Sequence, residues 1–112
     1  LYNAGMFFAT TPEPPYWAVI FTSIRTANDA TGYQQTAEQM EDLAKHQPGY
    51  LGIEHAGSDQ GSITVSYWRS LEDIAAWRRH ADHLAAQRAG RERWYRNYTL
   101  RVAKVERASA FP

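Results

Sequence analysis

The chain has 112 residues with 12 basic and 12 acidic side chains, so it is one domain with no net charge. It has no cysteine, which excludes disulfides, thiolate metal sites and a cysteine nucleophile, and it fits a reducing, cytoplasmic setting. No apolar run approaches the roughly 18 residues that a membrane span needs, and none has the shape of a secretion signal.

Charge is unevenly distributed. Residues 1–60 carry 2 basic and 7 acidic side chains, and residues 61–112 carry 10 and 5. Complementarity within the fold or between subunits accounts for this better than a nucleic-acid surface around Arg78 to Arg101, because nucleic-acid-binding domains are basic overall. The 4 Trp, 7 Tyr and 4 Phe present more large apolar surface than one small core hides easily, and a core shared across a dimer is a natural outlet.

Leu1 to Gly5 resembles the tail of a protease-cleavable tag, with Met6 as the expected native start. Residues 6–15 form an extended segment, where Pro12, Pro14 and Pro15 forbid a helix. Tyr16 to Ile24 is aromatic and β-branched, the profile of a buried strand. Asn28 to Gly32 breaks it, with Asp29 or Thr31 as candidate helix cap. From Tyr33 to His46, Tyr33, Ala37, Met40, Leu43 and Ala44 recur at helical spacing, and Gln47-Pro48-Gly49 ends the helix.

Tyr50 to Ala56 alternates, with Leu51, Ile53 and His55 on one face. A turn over Gly57 to Gly61 leads to Ser62–Trp68, in which Ile63, Val65 and Tyr67 oppose Thr64, Ser66 and Trp68. Ser70 caps a second helix, with Asp73 three residues on and a stripe of Leu71, Ile74, Trp77, Ala81, Leu84 and Arg88. Gly90 suits its C-terminal end. Trp94 and Tyr95 read as packing or dimer contacts, and Tyr98 to Glu106 as an edge or interface strand. The order β-α-β-β-α-β predicts an α+β, ferredoxin-like antiparallel sheet with both helices on one face. The bare apolar face then calls for a second copy as its cover.

Ser66-Tyr67-Trp68-Arg69-Ser70, followed by Ile74-Ala75-Ala76-Trp77, resembles the antibiotic biosynthesis monooxygenase family, as does Pro48-Gly49-Tyr50 before the second strand. The likeness spans about residues 16–107 and leaves 108–112 as a tail. The stretch from Gly90 to Arg107 looks like a branch of uncharacterised bacterial proteins related to haem-degrading monooxygenases. The resemblance implies a homodimeric α/β barrel and a monooxygenase acting on a small molecule. Haem-degrading relatives pair a helical Trp with a His ten residues later and an Asn on the first strand. Trp77 matches the Trp, Gln87 stands in the His position, and Trp17 to Ile24 has no Asn. Quinone-forming relatives need O2 and no cofactor. Of their pattern, Trp68 and Arg88 match, while Thr64 and Ile74 replace an Asn and a Tyr.

His80 and His83 share one helix face with Gln87 a turn later. Direct O2 chemistry on a phenol begins with loss of a proton, and an imidazole, with an ordinary pKa near ~6.5, suits that step. The expected site has His83 or His80 as base and Arg88 as anion stabiliser. Trp68, Trp77 and Tyr67 serve as aromatic walls, with Gln87 beside them. The same histidines also read as ordinary structural side chains, and a metal centre would need a third ligand. No phosphate loop, nucleophile elbow or His-Glu-x-x-His motif is present. No bound cofactor is therefore expected, with haem as the alternative that the relatives suggest. A ligand-binding dimer without catalysis, and an isomerase or decarboxylase using histidine as acid and base, are the competing functions. A small-molecule ligand is expected, and neither nucleic acid nor membrane.

Overall fold

The computed structural model describes residues 7–25, 30–58, 60–87 and 95–112. In chain order it holds β1 (Tyr16–Arg25), α1 (Ala30–Lys45), β2 (Tyr50–Ser58), β3 (Gly61–Trp68), α2 (Leu71–Gln87) and β4 (Tyr95–Val105). The strands form one antiparallel sheet in the order β2-β3-β1-β4, so the expected element order and pairing are found. Leu1 to Gly5, Asp29, Arg88, Gly90 and Trp94 lie outside the described residues.

Boundaries moved where turn chemistry was misjudged. Thr31 lies inside α1, not at its cap. Ser58 pairs with Gly61, so the hairpin loop shrinks to two residues and both strands lengthen. β4 starts at Tyr95, because it follows β1 as far as Arg25 through an irregularity next to Ile24. Ser70 caps α2 as expected: its hydroxyl accepts from the Asp73 backbone N–H at 3.1 Å and donates to the Asp73 carboxylate at 2.9 Å.

Side-chain parity divides the sheet into two faces. Trp17, Val19, Phe21 and Ser23 of β1 share the helix side with Trp68, Ser66, Thr64 and Ser62 of β3, their direct pairing partners. Trp68, with no exposure at all, is the centre of the core, packed with Val19, Ala44 and Ile74. Trp77 of α2 stacks on it at 6.0 Å and 20°, and Tyr50 meets its edge at 5.6 Å. One row therefore reads Tyr50, Trp68, Trp17 and Lys104 across all four strands, with the Lys104 ammonium 5.9 Å from the Trp17 ring. Glu38, Glu41 and Asp42 of α1 face solvent, as the helical spacing predicts.

The opposite face is not wholly bare, which corrects the sequence reading. The N-terminal segment straps one end of it. The Ala9 N–H donates to Glu54 Oε2 at 3.0 Å, and Thr11 bonds the Tyr16 hydroxyl at 3.1 Å. The Tyr67 hydroxyl donates to Glu54 Oε1 at 2.6 Å, and the Tyr16 and Tyr67 rings meet edge to face. The strap passes so close that a Cβ on Gly52 would lie 2.7 Å from the Ala9 Cβ. Beyond the strap, Ile24 and Ile63 stay 41% and 50% exposed.

Two outcomes follow. Gly49 adopts φ +83°, its carbonyl accepts from Arg69 N–H at 2.9 Å, and a Cβ there would strike the Asp73 carboxylate. Gly49→Ala should therefore cost about 1–3 kcal/mol in urea denaturation, with the fold retained. Burial, then the bond to Glu54, raises the Tyr67 pKa above its ordinary 10.0. The folded chain thus holds this proton where the unfolded chain loses it, so the associated stability is complete below pH ~10 and falls as pH climbs further. Tyr67→Phe should flatten that alkaline decline in thermal melts recorded between neutral and strongly alkaline pH.

Candidate functional site

The helix-side face changes character along its length. At the end where β3 meets α2 it is aromatic, built on Trp68 and Trp77. Further along, the central strand β3 presents Ser66, Thr64 and Ser62 to the helix side, where a sheet packed under helices would ordinarily show apolar residues. Each hydroxyl has a partner. The Trp68 indole N–H donates to Ser66 Oγ at 2.9 Å. Thr64 Oγ1 lies 2.7 Å from His55 Nδ1, and Ser62 Oγ lies 3.2 Å from the buried Ser23 Oγ.

The expected site residues fall into three groups. Trp68 and Trp77 come together, but Trp68 is fully enclosed and backs the half-buried Trp77. Tyr67 does not join them: strand alternation sends it to the strapped face, where it bonds Glu54. His80 is exposed on α2. His83 and Gln87 lie on the last turns of α2, where their side chains fall outside the described residues, as does all of Arg88. Ile74, at the position where quinone-forming relatives carry a Tyr, is 3% exposed in the core.

His55 was missed. On the sequence alone it stands on a strand with nothing nearby to recruit it. The two-residue hairpin loop sets Ser58 opposite Gly61, and the same register carries His55 to Thr64. Its other neighbours on that face are Ile53 and Gly57 along β2, while Glu54 points to the opposite side.

An open depression of about 490 Å³ lies at the hairpin end of the sheet, away from the tryptophans, lined among others by Thr22, Ile24, Ala56 and Ile63. These four alternate onto the face opposite the helices, so the depression belongs with the uncovered apolar surface and not with the Trp68–Trp77 stack. Among the described residues no cluster of three metal-ligating side chains occurs, and no helix is long and apolar enough to cross a membrane.

Residues 15–89 match the family model described as antibiotic biosynthesis monooxygenase. The chain is 53% identical over 106 residues to YqjZ of Bacillus subtilis, a protein described as uncharacterized, covering 94% of this chain and 92% of that one. Among solved structures it is similar to PA3566 of Pseudomonas aeruginosa, with TM-score 0.64 and 12% identity over 88% of this chain and 99% of that one. It is similar in fold also to SnoaB of Streptomyces nogalater, a cofactor-independent oxygenase, with TM-score 0.64 and 10% identity over the same shares. The β-α-β-β-α-β sheet, the capped α2 with its tryptophan stacked on the strand tryptophan, and the match across residues 15–89 place this chain in the antibiotic biosynthesis monooxygenase family.

Proposed function

We propose that this protein is a homodimeric monooxygenase that oxidises a small aromatic, polyketide-like molecule with O2 and without a bound flavin or metal. The observation that carries the reading is the graded helix-side face, aromatic at Trp77 and hydroxyl-lined along β3. A flat ring system with oxygens at one end matches both parts. In such a reaction a ring CH2 becomes a C=O. The carbon gives up four electrons, O2 accepts them, one oxygen atom enters the product and the other leaves as water. The substrate supplies every electron, so the protein has to bind the ring, take a proton and hold the resulting anion. Trp77 supplies the wall, with Trp68 behind it. Arg88 is the proposed anion stabiliser and Gln87 a hydrogen-bonding neighbour.

The stack speaks against haem. A macrocycle needs a slot beside the helical tryptophan and an axial imidazole, whereas Trp77 lies on Trp68 and Gln87 takes the position of the axial histidine.

Support for the dimer comes from the other face. Ile24 and Ile63 remain exposed beside Ile20 and Val65 outside the strap, and a second copy laid face to face buries them. Light scattering should give twice the 12.8 kDa chain mass, and Ile63→Glu should return the monomer. A stable wild-type monomer at micromolar concentration refutes the pairing.

For the activity, wild-type protein mixed with 1,8-dihydroxyanthrone in air should consume O2 and build up quinone absorbance. Trp77→Ala should lower kcat/KM by about tenfold or more through lost positioning. Haem titration should leave the Soret band of free haem unshifted. Absence of both oxygen uptake and quinone would leave the ligand-binding dimer as the function.

A further inference from the structure

We infer that His55, held by Thr64, is the general base on the helix-side face of the sheet. The inference rests on the monooxygenase reading above and deepens it, by assigning the proton acceptor and thereby the polar pole of the substrate.

The argument starts from the 2.7 Å contact between His55 Nδ1 and Thr64 Oγ1. A base must be fixed in tautomer and direction before it can take a proton efficiently, and a hydrogen bond to one ring nitrogen fixes the other. The contact fixes the direction of the ring, and in the tautomer whose Nδ1–H donates to the threonine oxygen, Nε2 carries the lone pair. Both residues sit on rigid paired strands, so the imidazole does not depend on a loop for its position. His55 is also exposed, so a ligand can reach it.

Placement along the face supplies the second line. Thr64 and Trp68 are four residues apart on β3 and share the helix side, which separates them by about 13 Å at the rise of a β-strand. That length suits a fused aromatic system of three to four rings, with one end against Trp77 and an oxygenated end toward His55. Ser66 lies between, its oxygen accepting from the Trp68 indole, so the floor under the rings holds no stranded acceptor. His80 is exposed as well, but it stands on α2 beside the exposed Arg78 and Arg79, with no place in the row from Trp68 to Thr64.

The chemical step is a proton transfer. The substrate's acidic bond, phenolic O–H or the activated ring C–H of its tautomer, breaks with the electron pair remaining on the substrate. The proton forms the Nε2–H bond. The anion's carbon then bonds to O2 as a peroxide, the imidazolium protonates the outer oxygen, and loss of the second ring C–H proton breaks the O–O bond, leaving C=O and releasing water.

The test compares wild type, His55→Ala, Thr64→Val, His80→Ala and His83→Ala as intact dimers, with circular dichroism as the folding control. Binding is followed by quenching of tryptophan fluorescence with 1,8-dihydroxyanthraquinone, and turnover by O2 uptake on 1,8-dihydroxyanthrone across a pH series. His55→Ala should bind the quinone nearly as wild type does, lose about 100-fold or more in kcat, lose the limb of the pH profile set by the base, and regain rate with added imidazole. Thr64→Val should lose less, in kcat and not in quinone binding, a split that mere loss of packing would not produce. A His55→Ala variant with wild-type kcat overturns the inference and leaves the monooxygenase reading intact, with the base then on α2 if His80→Ala or His83→Ala is inactive. A wild-type protein that quenches with the quinone but consumes no O2, or that does neither, overturns both.

Discussion

The stack of Trp77 on Trp68 is the contact on which the remaining architecture depends. It is the direct aromatic link between sheet and α2, and it places Ile74, Val19 and Ala44 around one enclosed indole. Truncating a buried tryptophan of this kind typically costs about 3–5 kcal/mol, a large share of what a domain of this size has. The cap at Ser70 and the turn at Gly49 work toward the same end. The first starts α2 three residues after Trp68, and the second brings β2 back beside that start through the Gly49 carbonyl and the Arg69 N–H. Loss of the stack would therefore loosen three elements together.

Strand parity then gives the two faces separate tasks. Neighbouring residues of β3 part company: Trp68 enters the core and Tyr67 joins the strapped network with Glu54 and Tyr16. An aromatic cluster that looks continuous in sequence is thus two clusters, and only one adjoins the helices. The strap covers one end of the outer face, so the surface that remains for a partner is narrower than the alternation alone suggests.

Much of this was legible because periodicity reports burial directly. The run from Tyr16, the alternation from Ser62 to Trp68 and the stripe through Ile74 and Trp77 each follow from which side chains a face must bury, whereas Leu71 and Ile24, expected at the ends of two of these runs, stay exposed. What escaped depends on contacts distant in sequence. The strap rests on Ala9 meeting Glu54, 45 residues away, and only a glycine at residue 52 hints that another backbone passes there. His55 escaped through the hairpin. Read as a five-residue turn, Gly57 to Gly61 leaves the register open; read as the two-residue loop that it is, it sets His55 opposite Thr64. The candidate site was therefore half legible: its aromatic wall lay in the motif, while its polar floor lay in the register.

The hydroxyls of β3 bring these strands of the argument together. A hydroxyl covered by an apolar ring costs about 1–3 kcal/mol when it lacks a partner, which is why helix-covered sheet faces ordinarily avoid them. Here Ser66, Thr64 and Ser62 each meet a group of the protein itself, the Trp68 indole, the His55 imidazole and the Ser23 hydroxyl. An aromatic ligand can lie over such a floor without stranding any of them. Packing alone would have been served by valine at all three positions, with the same strand propensity and no polar atoms to satisfy. A floor that is polar and already satisfied fits the proposed ligand as its cover. At the middle of that floor the Thr64 partnership leaves one imidazole nitrogen for whatever lies above it.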